Sequence, residues 1–343
     1  MLLQERLGIE RPIIQAPMAG VQGSALAIAV SNAGGLGSLP CAMLGVDALR
    51  TELETIRKHT DKPFNVNFFC HTQPPADSAR EAVWRALLSP YYTELGVDPR
   101  SIPDGLGRRP FDRATADLLG DFKPPVVSFH FGLPAEDLLA SVRSWGAKIL
   151  ASATTLAEAR WLEARGVDAI IAQGVEAGGH RGNFLSHDMN DQLGSFALIP
   201  QIARAVRVPV IAAGGIADAR GVAAAMALGA AGVQIGTAYL LCPEATTSAV
   251  HRAALASEAA QTTALTNLFS GRPARGIVNR IMRELGPFND AVPAFPLASA
   301  AITPLRTRAE QRGSGDFSPL WAGQNVSGCK EIPAAQLTRE LAG

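Results

Sequence analysis

Two of the six histidines stand in glycine-rich settings where an imidazole could do chemistry. His180 lies in Gln173-Gly174-Val175-Glu176-Ala177-Gly178-Gly179-His180-Arg181-Gly182, flanked by three glycines. An imidazole titrates near neutrality, so it can accept a substrate proton or, once protonated, hold an anion. A lone surface histidine is the ordinary alternative, but the glycines and a place at a strand end make His180 the candidate catalytic residue. His130, in Ser128-Phe129-His130-Phe131-Gly132, ends another run of strand character. Substrate contact and a structural role stand level there, and it is carried as the candidate substrate-binding residue. No motif supports His59, His71, His187 or His251. Glu176 is expected to hydrogen-bond to a helix or backbone, not to act as a base. Arg181 is left between pairing with Glu176 or an anion and a solvated or structural role.

Three further segments carry small residues at strand ends. They are Gln15-Ala16-Pro17-Met18-Ala19-Gly20, Ala212-Ala213-Gly214-Gly215-Ile216 and Gln234-Ile235-Gly236-Thr237. Glycine lets backbone N–H groups approach an anion with no Cβ in the way. In α/β barrels the loops after strands seven and eight commonly hold a phosphate. Gly214, Gly215, Gly236 and Thr237 fall in those loops. Either pair alone is better explained by a tight turn; together they favour a phosphate cradle. No G-x-G-x-x-G follows the first strand, and neither a P-loop nor a G-x-S-x-G elbow is present. A phosphate cradle without a nucleotide-triphosphate motif suits flavin mononucleotide (FMN). Asn67, Gln173 and the Met18 N–H could serve the polar edge of its ring.

Eight short apolar runs must position these groups: Ile13–Ala16, Gly35–Leu39, Phe64–Phe68, Val126–Phe129, Lys148–Ala151, Ala169–Gln173, Val208–Ala213 and Gly232–Ile235. They are nearly continuous in apolar residues, as parallel strands buried on both faces are. Helical stretches follow them at Ser24–Ala33, Asp47–His59, Ala135–Trp145, Thr155–Ala164, Phe196–Ala205 and Asp218–Leu228. Thr154 or Thr155 and Asp218 stand at N-cap positions, and Gly146, Gly166 and Gly229 lie just past helix ends. The order predicts an α/β fold, a (β/α)8 TIM barrel. Residues 71–122, rich in Pro, Arg and Asp, and residues 243–320, which look helical, interrupt the rhythm after strands three and eight. We expect a barrel from 1–70 and 123–242, a smaller, mostly helical lid or second domain from 71–122 and 243–320, and a C-terminal segment 321–343.

The chain has 343 residues, and its charges cancel at 31 Lys plus Arg against 31 Asp plus Glu. A neutral chain has no overall field to gather nucleic acid or anionic lipid, and neither is expected as a partner. Cys41, Cys70, Cys242 and Cys329 lie far apart, so no metal site or disulfide framework is expected. Glu5 and Arg6 stand where a secretory signal would be apolar, so a cytoplasmic location is expected. The run Val222–Leu241 is long enough to span a bilayer, yet its glycines describe a buried helix followed by a buried strand.

The segments IIQAPMAG, VSNAGGLGS, KPFNVNFF, SFHFGLP, QGVEAGGHRG, VIAAGGI and VQIGTAYLLCPE occur in this order. Together they resemble class I nitronate monooxygenases, formerly called 2-nitropropane dioxygenases. The likeness runs from about residue 8 to 247, and SGRPARG and WAGQ (Trp321–Gln324) extend it. QGVEAGGHRG with SFHFG is the specific part. IIQAPM and AAGGI are shared with flavin enoyl and quinone reductases. The resemblance implies FMN at the barrel mouth, its ring on the Pro17-Met18 backbone with Asn67 and Gln173 at the polar edge. The phosphate would sit against Gly178, Gly179, Gly214, Gly215 and the turn Gln234, Ile235, Gly236, Thr237, with His180 facing a small-molecule substrate. The implied reaction oxidises alkyl nitronates, and nitroalkanes if these are used, with O2 to carbonyl compounds and nitrite. The alternatives are an NAD(P)H-dependent FMN reductase on the same barrel and a non-catalytic flavin-binding sensor. One departure concerns the post-barrel segment. Relatives have aromatic hydroxyls or a lysine there, whereas Phe295–Arg306 reads FPLASAAITPLR and no lysine lies between Lys148 and Lys330.

Overall fold

The computed structural model describes residues 2–102 and 108–343. Its strands are β1 Ile13–Gln15, β2 Gly37–Pro40, β3 Phe64–Phe69, β4 Val126–His130, β5 Lys148–Ala153, β6 Ala169–Gln173, β7 Gly179–His180, β8 Val210–Ala213, β9 Gly232–Ile235, β10 Thr263–Thr266 and β11 Ala274–Ile277. Eight of them, all but β7, β10 and β11, form one parallel sheet in the order β1-β9-β8-β6-β5-β4-β3-β2. A parallel bridge between Ile14 and Leu36 closes it, with Gln15 N donating to Leu36 O and Leu36 N to Ile13 O at 2.9 Å. The result is the expected TIM barrel. Nearly every barrel-strand residue is buried, which is why most of the runs are nearly continuous in apolar residues instead of alternating, with Asn65 and Asn67 of β3 as buried polar exceptions.

The helices are α1 Leu3–Leu7, α2 Ser24–Asn32, α3 Val46–His59, α4 Ser78–Leu95, α5 Arg113–Phe122, α6 Glu136–Ser144, α7 Leu156–Ala164, α8 Ser195–Ala205, α9 Ala219–Ala227, α10 Ala249–Leu255, α11 Arg280–Leu285, α12 Ser299–Gln311 and α13 Ala334–Ala342. Local chemistry sets their ends. Thr155 caps α7 by accepting from Glu158 N at 3.2 Å, and Asp218 caps α9 by accepting from Gly221 N at 2.8 Å. Gly146, Gly166 and Gly229 follow helix ends at φ of 83°, 72° and 104°, where a Cβ would be strained. On α3, Leu49, Leu53 and Ile56 share one face and are buried in the barrel core. The apolar run 222–241 becomes part of α9, strand β9 and a 3-10 turn at Thr237–Leu241. No helix among the described residues is long and apolar enough to cross a membrane.

The two interrupting segments meet over the barrel. Trp84 and Tyr92 of α4 donate to Ala298 O at 3.3 Å and Ala301 O at 2.7 Å. Together with Leu88, Leu268, Ile281, Ile302, Leu305 and Phe317 they form a second buried cluster. α5, at the end of the first segment, packs instead into the barrel core through Leu118, Leu119 and Phe122. Residues 243–320 are not purely helical. β10 and β11 pair antiparallel, and β11 pairs with β7, so that Ala274 lies opposite His180. A four-residue strand carries little periodicity of its own, and it is the partner from the distant His180 loop that sets this register. Near the C-terminus, Leu337 and Leu341 of α13 pack into the barrel core, and Thr338 Oγ1 lies 2.9 Å from the Tyr239 hydroxyl.

Candidate active site

A cavity open to solvent lies at the C-terminal ends of the strands. All the residues singled out above as candidates line it, from Pro17 and Met18 through Asn67, His130, Gln173 and His180 to Thr237. The glycines are there for different reasons. Gly179, at φ 70°, would place a Cβ in open space. Gly214, at φ 110°, would bring a Cβ to 3.0 Å from Ala177 N and 3.1 Å from Gly174 O. Gly178 is small because a Cβ would meet the backbone of Ala322 and Gly323 at 2.6 Å. The C-terminal segment thereby closes one side of the cradle, and Gly323 N donates to Thr237 Oγ1 at 2.9 Å. Gln234 Oε1 is buried here without a hydrogen-bond partner among the described residues.

The expected polar edge is rearranged. Gln173 Nε2 donates to His180 O at 2.9 Å, and its Oε1 accepts from Gly182 N at 2.7 Å. Its amide therefore clamps the loop that carries His180, with one amide proton left over. Asn67 Nδ2 donates to Ser128 Oγ at 2.9 Å and Ser128 O at 3.2 Å, which leaves its carbonyl oxygen as the available group. Met18 N–H, expected to face the ring, donates to Gln22 Oε1 at 3.0 Å. Glutamine at position 22 is close enough along the chain to reach back, and a buried N–H must be satisfied.

Two arginines brace the His180 loop from below. Arg181 is fully buried and donates to Gly174 O at 2.6 Å, Gln173 O at 2.7 Å and Gln192 Oε1 at 3.0 Å. Burial pulls its pKa down to about 10. Its role is structural. Arg275 of β11 donates to Val175 O at 2.9 Å. Glu176 accepts from Ser195 N at 2.8 Å and from Ser195 Oγ at 2.8 Å, at the N-terminus of α8, as a capping carboxylate does.

His180 Nε2 lies 2.8 Å from Ser270 Oγ, and its Nδ1 makes no hydrogen bond among the described residues. The ring sits among Phe295, Trp321, Phe69 and Phe131, at centroid distances of 5.4, 5.6, 6.1 and 6.1 Å. Burial, then the charges of Arg108, His130, Arg272 and His71, push its pKa well below the ordinary imidazole value. It is neutral at pH 7, the form that accepts a proton. His130 Nε2 lies 3.2 Å from His180 O, and a carbonyl only accepts, so this nitrogen carries the proton. Nδ1 then accepts from Ser152 Oγ at 3.0 Å. Both ring nitrogens are engaged within the protein, and burial lowers its pKa to about 3. His130 thus supports the His180 backbone and offers the cavity ring surface only.

Several residues that line the cavity or contact His180 were not anticipated. Ser270 and Trp321 lie in SGRPARG and WAGQ, the segments that extended the resemblance. His251 had no motif, yet it lines the cavity and donates from Nε2 to Trp321 O at 3.1 Å. Arg108 comes from the first interrupting segment, where the only signal is the dipeptide Arg108-Arg109 before Pro110.

A family model described as nitronate monooxygenase matches residues 1–343. A nitronate monooxygenase of Paraburkholderia phytofirmans is 45% identical over 98% of this chain and 92% of its own length. One from Pseudomonas aeruginosa is 44% identical over 98% and 96%. Among solved structures, a nitroalkane oxidase from Streptomyces ansochromogenes aligns with TM-score 0.89 and 40% identity, covering 99% of this chain and 96% of that one.

Proposed function

The chain belongs to the nitronate monooxygenase family and is an oxidoreductase, and from that premise we propose that it binds FMN and oxidises alkyl nitronates with O2 to carbonyl compounds and nitrite. The observation that carries this reading is the meeting, in one cavity, of a neutral His180 with the glycine cradle. The residues suit a flavin mononucleotide. Gln234 Oε1 and the side-chain oxygen Oδ1 of Asn67 are acceptors without a partner among the described residues, and a flavin ring N–H and ribityl hydroxyls are donors. Gly179, Gly214, Gly215 and the Gly236-Thr237 turn leave backbone room for one phosphate. The cofactor supplies the electron transfer and the reaction with oxygen.

The chain's own part is positioning and proton handling. Gln173, Arg181 and His130 hold the loop so that His180 stays beside the cradle. On a neutral nitroalkane, His180 accepts the α-proton at Nδ1 while Nε2 stays bonded to Ser270 Oγ. On a nitronate that proton is already gone, and the ring orients the substrate. Phe69, Phe131 and Phe295 keep water away from this side. α4 and the part of 243–320 that packs with it serve as the lid over the substrate side, and the enzyme works in the cytoplasm.

Denaturing the purified yellow protein and chromatographing the released cofactor should give FMN, and ethyl nitronate in air should yield nitrite. Finding FAD, or no flavin after reconstitution, overturns the cofactor assignment. Rapid anaerobic bleaching by NADPH without nitrite formation from any nitronate would favour the reductase reading, and flavin without either reaction a sensor.

A further inference from the structure

The cavity contains a cation that the glycine cradle does not use. Arg108 lines it from the segment inserted between β3 and β4. Its Nε and Nη1 are buried without a hydrogen-bond partner among the described residues. Its backbone is fixed, because the Arg108 carbonyl accepts from His71 Nε2 at 3.1 Å and Gln73 Nε2 at 2.9 Å. The guanidinium stands 5.7 Å over the Phe295 ring, in the aromatic cluster that also contacts His180. Among the described residues no carboxylate acts on it; the charge that does is a second cation, Arg306. Arg272, by contrast, feels the buried carboxylate of Glu158 and donates to Asn183 O. A half-buried guanidinium with two buried nitrogens that find no partner among the described residues is costly unless an anion joins it.

We propose that Arg108 is the specificity-determining cation of this site, binding the planar anionic NO2 group of the substrate beside His180. The inference rests on the nitronate reading above. It also answers the departure noted in the post-barrel segment, since the cation absent from Phe295–Arg306 arrives from the other interrupting segment. Planar N–H donors suit a planar group with two charge-sharing oxygens. The side chain also reaches His180 electrostatically, the first of the charges acting on it. A cation there favours the neutral base and the anionic substrate together.

The test compares Arg108→Gln and Arg108→Lys with the parent protein. Propionate, isosteric with ethyl nitronate and not oxidised, is titrated calorimetrically, and nitronate kinetics are followed by nitrite. For Arg108→Gln we expect propionate affinity to fall and nitronate KM to rise by about 10–100-fold, the usual scale for losing a hydrogen-bonded charge, with a smaller change in kcat. Arg108→Lys, which keeps the charge but not the plane, should recover part of the loss. The acid limb of the rate on a neutral nitroalkane should move to higher pH in Arg108→Gln, because one cation facing His180 is gone while Arg272 remains and the neighbouring His130 and His71, their own pKa values lowered, add no full charge near neutrality. Flavin content and far-UV circular dichroism identify a variant that has merely misfolded, and the lysine variant then decides. Unchanged propionate affinity and KM in a folded Arg108→Gln overturn the proposal. A parent protein that oxidises no nitronate refutes the proposed function instead, and the propionate titration still reports on Arg108.

Discussion

Replacing His180 by Asn separates proton removal from the other roles of this ring. The native imidazole is neutral at pH 7, so essentially every molecule has its base ready. General-base catalysis contributes about 10²–10⁴ in rate, or roughly 3–5 kcal/mol of barrier. Asn keeps a polar group near Nδ1 but is too short to reach Ser270 Oγ, which His180 meets through Nε2 at 2.8 Å. That lost bond is worth about 1 kcal/mol of stability. On nitroethane, kcat/KM should therefore fall by about 10²–10⁴-fold. On ethyl nitronate, which needs no proton removed, the fall should stay below about 10-fold, the size of one neutral hydrogen bond to the substrate. Flavin content should be normal, because no cradle residue is touched. The assay is nitrite release from both substrates across pH 5 to 9, with the parent's acid limb lying below 6.5 because burial and cations depress the ring. If the parent uses only nitronates, His180 orients the anion and only affinity should suffer. Equal losses on both substrates would refute a base role, and unaltered kinetics on each would make the histidine a bystander.

Three further outcomes are expected. Gly179→Asp adds a carboxylate in open space within the cradle, so flavin content should drop by at least about tenfold through charge repulsion with the phosphate while circular dichroism stays that of the barrel; full flavin loading would place the phosphate elsewhere. His251 is 4% exposed, and its pKa is lowered to about 4. Because the unfolded chain takes up its proton below pH 6.5 and the folded one does not, this group's contribution to stability falls as pH drops from 6.5 towards 4, by about 1.4 kcal/mol per unit. His251→Asn should flatten the melting-temperature profile in that window, and an unchanged slope would contradict the buried neutral form. Arg181→Met leaves the carbonyls of Gln173 and Gly174 without donors, and unfolding by urea should show a loss of about 2–6 kcal/mol, about 1–3 for each stranded carbonyl; a loss under 1 kcal/mol would show that the loop braces itself.

The barrel was legible in the chain because its signals are local. A parallel strand buried on both faces, such as Ala169–Gln173, is largely apolar along its length, and some of the following helices announce their start with a residue like Asp218 and their end with one like Gly229. The site residues were legible for a related reason. The fold obliges chemistry to gather at strand ends, so small residues and a histidine clustered there stand out. What each group does was decided only when distant segments met. The Met18 N–H was taken by Gln22 and the Gln173 amide by the His180 loop, since a buried donor bonds to whatever folds against it. His130 became a support through the carbonyl of a residue fifty positions away. The β7–β11 pairing that bears His180, and the neutral state of that ring, depend on the Ser270 segment and on Arg108, neither of which is a sequence neighbour of the histidine. Electrostatics and desolvation act through space and over a few ångströms, and a one-dimensional pattern records periodicity, caps and turns but not which charges will share a cavity.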